Sequence, residues 1–309
     1  MRYLEVIMNG RVPHIVQYQG SKRILAPQII QYMPKSFQRL IEPFAGMAAI
    51  SIAVAQMRRT EQYYINDLNA PLVRLIEFAV KEPNALVDNY TALWNRQFNY
   101  GDNHVQHFYD VRTEFNAGNE SPENILYLLA RCVKGAVRYA KDGKFNQSPD
   151  KRRHGTTPNN IKRNVFAVSA LLKGKSRFSA FDYRELFEMA KSGDLVYMDP
   201  PYQGVTNSRD NRYYSGVPFE EFVMAIEILN RKNVDFLISY DGECGGKEYG
   251  EALPKYLGCK KILLNAGAST QSTLLGRKAI TFEALYVSRN LQSYIEYIPQ
   301  QISLLEGMV

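Results

Sequence analysis

The chain has 309 residues, 45% hydrophobic and 22% charged, with a net charge of +7. That is ordinary globular composition, sufficient for one large core and a smaller appended unit; it argues against a low-complexity chain, and the positive excess favours a polyanionic partner. No apolar run approaches a membrane span, no signal-like leader opens the chain, and Cys132, Cys244 and Cys259 show no CxxC pairing, so a cytoplasmic protein with no membrane, disulfide framework or metal is expected.

Gln17-Tyr18-Gln19-Gly20-Ser21-Lys22 opens the first element, with Gly20 and Ser21 reading as a turn and helix cap. Ile24, Leu25, Ile29 and Ile30 then recur at helical spacing. Lys22 falls in the first turn, where a cation opposes the helix dipole, which favours an anionic neighbour for it. Leu40 and Ile41 predict a short strand, Gly46 a tight turn, and Ala48 to Val54 an Ala-rich helix. A strand, a glycine turn and a helix bring backbone close to a nucleotide-like ligand. Tyr63 to Asp67 predicts the second strand. Its terminal acid lies about 20 residues past the glycine, an offset from which a carboxylate reaches a ribose hydroxyl. Ala70 to Lys81 follows as a helix.

Residues 83 to 173 break this rhythm. Helices are expected over Leu86–Leu93, over Val105–Phe115 and from Ser121-Pro122-Glu123 onward, where Ser caps and Pro takes the first position. His104 and His107 read as two exposed helix residues. Basic residues then accumulate from Arg131 to Arg163, including Arg138, Lys144, Arg152 and Arg153, and only Asp142 and Asp150 interrupt them. Tyr139, Phe145, Asn146 and Gln147 are interleaved, and Asp142-Gly143 is a hairpin-type turn. Guanidinium, amide and aromatic groups on one turn-containing segment are those that hold phosphates, read base edges and fill the space an extruded base leaves.

The alternation then resumes. Arg177 to Asp182 predicts a strand ending in an acid, Tyr183 to Lys191 a helix, and Leu195 to Met198 a strand that ends in Asp199-Pro200-Pro201-Tyr202. Two prolines stop a strand abruptly and hold an acid and an aromatic where it stops. A polar loop over 203–216, a helix over Phe219–Leu229 and strands over Val234–Ser239, Lys261–Leu264 and Phe282–Ser288 complete the pattern, with a polar loop over 268–278. The sum is an α/β chain: a mostly parallel sheet with crossover helices, interrupted after its second strand-helix unit by a basic helical insert. If the strands are neighbours, Asp67, Asp182 and Asp199/Tyr202 line one edge of that sheet.

At such an edge, the Asp199 carboxylate and the Pro200 carbonyl are both acceptors. Together they suit an exocyclic amino group with two N–H donors, whose nitrogen becomes a usable nucleophile as its lone pair is drawn out of the ring. Tyr202 offers a stacking face for the base. A methyl sulfonium held in line would then permit direct transfer, chiefly by positioning.

These motifs, in this order from about Tyr18 to Asn290, resemble the Dam-like, α-class adenine-N6 DNA methyltransferases that use S-adenosylmethionine. Tyr18-Gln19-Gly20-Ser21-Lys22 resembles the family's N-terminal motif, with Tyr18 where Trp is usual. Glu42-Pro43-Phe44-Ala45-Gly46 resembles its cofactor loop, although Ala48 stands where a second glycine is usual. Asn66-Asp67 and Phe181-Asp182 match its ribose-side and adenine-side positions, Arg138-Tyr139 with Gly143-Lys144-Phe145-Asn146 its target-reading hairpin, and Asp199-Pro200-Pro201-Tyr202 its catalytic motif.

The resemblance implies a Rossmann-like, seven-stranded methyltransferase sheet formed by residues 1–82 and 174–309, with a mainly helical target-recognition unit at 83–173. It implies S-adenosylmethionine as cofactor, held by Tyr18, Lys22, Phe44, Ala45, Gly46, Asp67, Phe181, Asp182 and Asp199. It implies catalysis by Asp199, Pro200 and Tyr202 on a flipped adenine, and double-stranded DNA as partner through Arg138, Tyr139, Lys144, Phe145, Asn146, Gln147, Arg152 and Arg153. The Gln147-Ser148-Pro149-Asp150 run differs from the Asn-Val-Pro of GATC-reading members and is more like restriction-associated ones, which implies a cognate restriction endonuclease as companion. Cytosine-N4 methylation and a DNA-binding protein without turnover are the alternatives.

Overall fold

The structure is a computed structural model that describes residues 11–201, 217–244, 247–249, 251–268 and 280–295. Its strands are β1 (Arg39–Glu42), β2 (Tyr63–Asn66), β3 (Ser176–Ser179), β4 (Asp194–Met198), β5 (Asp235–Cys244), β6 (Lys247–Tyr249), β7 (Lys260–Ala268) and β8 (Ile280–Val287). Seven of them form one sheet in the order β3-β2-β1-β4-β5-β8-β7, and β6 pairs with the far end of β5. The first five are parallel; β8 enters antiparallel between β5 and β7. The α/β reading therefore holds, as a mixed seven-stranded sheet with one short additional strand.

The central strands read as near-continuous apolar runs because both faces are covered. Leu40, Leu195, Tyr197, Leu237 and Leu285 face one core, while Ile41, Val196, Met198, Ile238 and Ala284 face the other. The two-residue period of a strand distributes successive side chains between the faces. At the start of the β1–β4 pair Arg39 meets Asp194 at 2.6 Å.

Helices α1 (Ala26–Ile30), α2 (Ala49–Gln56) and α3 (Ala70–Lys81) follow the first turns and strands. The first is shorter than its apolar spacing predicts: Gly20 sits at φ 85° and Lys22 lies in turns ahead of the helix, not in its first turn. The insert supplies α4 (Pro83–Arg96), α5 (His104–Asn116), α6 (Pro122–Arg131) and α7 (Pro158–Leu172). The insert's apolar residues, among them Leu86, Tyr90, Phe108, Ile125, Leu128 and Ile161, belong to the same core as Leu72, Leu75 and Ile76 of α3. His107 is buried, not exposed: its ring packs on Tyr127 and its Nε2 meets the Leu93 carbonyl at 3.0 Å. On the other face lie α8 (Tyr183–Met189) and α9 (Phe219–Arg231); α10 (Gln292–Ile295) follows β8. Among the described residues no helix is long and apolar enough to cross a membrane.

Candidate active site

From β1 the chain runs outward to β2 and β3, and from β4 it runs the other way to β5. The carboxyl ends of β1 and β4 thus flank the reversal of strand order, which is where ligands bind in open α/β sheets. A cavity of about 450 Å³ opens there, lined from the N-terminal segment, the ends of β1, β2 and β4, and the starts of α8 and α9. Tyr18, Lys22, Phe44, Ala45, Gly46, Asp67, Phe181, Asp182 and Asp199 all line it.

The turn after β1 is built for close approach. Gly46 has φ 51°, and a Cβ there would lie 3.1 Å from the Tyr18 ring. Ala48 also adopts the left-handed region, at φ 56° and ψ 38°, immediately before α2. A second glycine would take that conformation at no steric cost; alanine takes it with its methyl wholly buried. Asp67 holds the turn in place: one carboxylate oxygen accepts the Gly46 N–H at 2.8 Å, the other the Asn69 N–H at 2.9 Å. Burial raises the Asp67 pKa, and these two bonds oppose the rise.

Asn66 joins three strand ends. Its amide donates to the carbonyls of Pro43 and Phe181, each at 3.0 Å, and its oxygen accepts from the Ser179 hydroxyl and the Phe181 N–H. Phe181 is thereby presented 44% exposed beside the cavity. Asp182 is not the last residue of β3, which ends at Ser179; it caps α8 by accepting from the Arg184 N–H. A side-chain hydrogen bond from Arg184 holds the Asp182 carboxyl below the usual range, and Arg184 also reaches Glu221 on α9. Phe44 packs on Tyr183 and Phe222 with centroids 5.1 and 6.2 Å away.

Beyond β4, Asp199 meets a buried cation. Lys22 Nζ lies 3.0 Å from Asp199 Oδ1 and also pairs with Glu283. Burial works to lower the Lys22 pKa, but Asp199 and Glu283 outweigh it and keep the ammonium charged. Behind them Tyr197 donates to, or accepts from, the Ser239 hydroxyl at 2.7 Å. Glu42, at the end of β1, is 2% exposed and accepts from the Ser51 N–H at 3.0 Å and the Ser51 hydroxyl at 2.5 Å. Burial pushes its pKa up to about 7 against those bonds, with the Asp199 charge adding to the rise. Pro200 follows Asp199 directly, while Tyr202 and the loop over 203–216 lie outside the described residues.

Glu42 opens the cofactor-loop motif but is given no role of its own by it, and Glu283 lies outside every motif. Glu283 is the only charged residue of β8, which is the signal that could have singled it out. Asn66 was paired with Asp67 in the motif, yet its role in joining strand ends follows only from the topology. Among the described residues no group of three His, Cys, Asp or Glu side chains could hold a metal.

The basic insert forms the predicted hairpin. Tyr139 and Phe145 pair across it, Asn146 N–H donates to the Arg138 carbonyl at 2.8 Å, and Gly143 turns the tip at φ 80°. Arg138, Lys144, Asn146, Arg152 and Arg153 are exposed. Phe145 differs from its expected role. It is 1% exposed and packs edge-on between Phe115 and Tyr139. It therefore supports the hairpin rather than presenting a face to a base. Gln147 is half-buried, and its carbonyl accepts from Arg112 at 3.1 Å. Arg131, one of the basic run, is wholly buried and donates to the Asp150 and Arg153 carbonyls, folding the loop that displays Arg152 and Arg153.

Residues 18–290 match the family model described as D12 class N6 adenine-specific DNA methyltransferase. A DNA N-6-adenine-methyltransferase of Escherichia phage P1 is 29% identical over 240 residues, covering 74% of this chain and 30% of that protein. The retron Ec67 DNA adenine methylase of Escherichia coli is 28% identical, over 62% of this chain and 64% of its own length. The Type II methyltransferase M1.LlaDCHI of Lactococcus lactis is 26% identical, over 72% of this chain and 79% of its own. The matched region thus spans less than a third of the phage relative and just under two thirds of the retron one.

Proposed function

Because the chain belongs to the D12 class N6 adenine-specific DNA methyltransferases, we propose that it methylates the N6 amino group of adenine at specific sites in double-stranded DNA, with S-adenosylmethionine as the methyl donor. The single observation that carries this reading is the cavity at the β1–β4 reversal, where Lys22, Gly46, Asp67 and Asp199 converge.

The cavity suits such a donor chemically. The aromatic residues Tyr18, Phe44 and Phe181 and the charged residues Lys22, Asp67 and Asp182 line one space, which fits a ligand with a purine, a diol and a charged amino-acid end. When bound, S-adenosylmethionine supplies an electrophilic methyl group on a sulfonium. Gly46 keeps the turn free of a side chain. Asp67 serves the diol while retaining its hold on the Gly46 N–H, Phe181 and Asp182 flank the purine, and Lys22 fixes Asp199 at the boundary between donor and target.

At the target, the Asp199 carboxylate and the Pro200 carbonyl accept the two N–H bonds of the adenine amino group. This draws the nitrogen lone pair out of the ring and aims it at the methyl. The Asp199 carboxylate then takes the proton that the methylated nitrogen sheds. Tyr202 stacks on the flipped base, a contact worth about 1–3 kcal/mol. Residues 83–173 act as the target-recognition unit: Arg138, Lys144, Arg152 and Arg153 hold the DNA backbone, Asn146 and Gln147 lie toward the bases, and Tyr139 and Phe145 support them. The reading places the enzyme in the cytoplasm, beside a restriction endonuclease.

Expression in a host without DNA methylation, followed by mapping of modified bases across the genome, tests the reading. N6-methyladenine in one sequence context, lost in Asp199→Ala, is the expected result. N4-methylcytosine, or no modification from a folded protein, overturns it.

A further inference from the structure

We infer that a hydrogen bond between Tyr139 and Asn69 couples the DNA-reading hairpin to the cofactor turn, so that DNA and methyl donor each strengthen the binding of the other. The inference rests on the function proposed above.

The two regions are far apart in sequence, and the side chains of Tyr139 and Asn69 join them. The Tyr139 hydroxyl lies 3.0 Å from Asn69 Nδ2 and 3.2 Å from Asn69 Oδ1. Asn69 is buried and Tyr139 half-buried, so this polar contact is partly shielded from water. From Asn69 the contacts continue without a gap. Its N–H donates to Asp67 Oδ1, and Asp67 Oδ2 accepts the Gly46 N–H. Asn69, Asp67 and Gly46 all line the cavity. Tyr139 is the only described hairpin residue from 138 to 146 with a side-chain hydrogen bond to this turn.

The hairpin is short: Tyr139 and Phe145 form its β-bridge, Asn116 holds the Phe145 main chain, and its tip over 141–144 is exposed. A ligand on the tip restricts Tyr139, and through the shared hydroxyl contact it restricts the Asn69 side chain. A ligand in the cavity restricts Asp67 and Gly46 from the other end. The conformational freedom of this chain of contacts is lost once, by whichever ligand arrives first, so the second binds with a smaller entropy cost. Linkage requires the effect to be reciprocal.

The test uses the full chain, S-adenosylhomocysteine as a donor analogue without a transferable methyl, and fragmented unmethylated genomic DNA. The analogue's dissociation constant is measured calorimetrically with and without saturating DNA, for the wild type, Tyr139→Phe, Asn69→Ala and the double variant. Tyr139→Phe keeps the ring that packs on Phe145 and removes only the hydroxyl. The wild-type ratio is expected to be about fivefold or more. It should fall toward one in Tyr139→Phe, and the double variant should lose no more than either single one. If both ligands bind and the ratio is unchanged in Tyr139→Phe, or is already one in the wild type, the coupling is overturned alone. If the analogue does not bind the folded protein at all, the methyl-donor reading falls and the coupling with it.

Discussion

Lys22 Nζ stands 3.0 Å from Asp199 Oδ1, and the same ammonium pairs with Glu283 across from β8. A residue of the N-terminal segment therefore places its positive charge against the strand-end acid. Removing the ammonium leaves two carboxylates near one another in a shielded place, which raises the pKa of at least one. In the proposed mechanism the ionised Asp199 carboxylate is the acceptor. Lys22→Met should therefore move the acid limb of the kcat/KM profile upward by about one pH unit or more. A pH-rate profile with an unmoved limb would separate Lys22 from Asp199 in function.

Glu42 gives the fold its own pH dependence. Its pKa is about 7 in the folded chain against 4.5 as a free side chain. Between those values the unfolded chain loses its proton while the folded chain keeps it, so stability falls as pH rises and levels off above about 7. The size is about 3 kcal/mol at 1.36 kcal/mol per unit. Glu42→Gln removes the titration. Denaturant unfolding at pH 5 and pH 8 should show a smaller difference for the variant than for the wild type.

Asp67 acts on the turn before it acts on any ligand. Asp67→Ala leaves the Gly46 and Asn69 N–H groups without their acceptor. The cost is about 2 kcal/mol of stability, and the analogue's dissociation constant should rise by more than tenfold. Asp67→Asn keeps one acceptor oxygen and should fall between. Calorimetry and thermal unfolding on the same samples check both effects.

Phe145 is tested by its size. Truncation to Ala in a site 1% exposed should cost about 3–5 kcal/mol. Phe145→Leu should restore most of the loss, with DNA affinity following stability in both variants. A Phe145→Ala protein of wild-type stability that has lost DNA binding would return the ring to a direct contact.

Arg152 and Arg153 are exposed on the loop that Arg131 folds. Each alanine substitution should lower the slope of log affinity against log salt by about 0.9. Arg131→Met should lower thermal stability as well, because it removes the donors to the two loop carbonyls. Binding titrations at several salt concentrations distinguish the two kinds of arginine.

Much of this was legible in the sequence because its signals were local. Gly46, Asp67 and the two prolines after β4 are short-range punctuation, and they marked the ends of β1, β2 and β4 correctly, whereas Asp182 caps α8 beyond the end of β3. The long-range pairs were not legible. Nothing near Lys22 announces Glu283, which lies 261 residues further on, and Glu42 looks like part of a motif until Ser51 is seen above it. Phe145 and Arg131 misled for the opposite reason. Aromatic and basic residues in a polar run read as surface, whereas the insert buries both to hold the hairpin and its loop. Ala48 reads as a departure from the family pattern, yet it keeps the left-handed backbone that a glycine would have taken.

The insert's helices share a core with α3, and the segment they frame, 133–157, begins after α6 and ends before α7. This division marks out a natural cassette. Under the proposed function, exchanging that segment should change the target preference while the helices on either side keep their own sequence. Phe145, which packs on Phe115, must be kept in any transplant, and two further positions tie the segment to the rest of the chain. One is a glycine at 135, where a Cβ would lie 1.9 Å from the Gln17 carbonyl oxygen. The other is a tyrosine at 139, whose hydroxyl registers the cassette to its host.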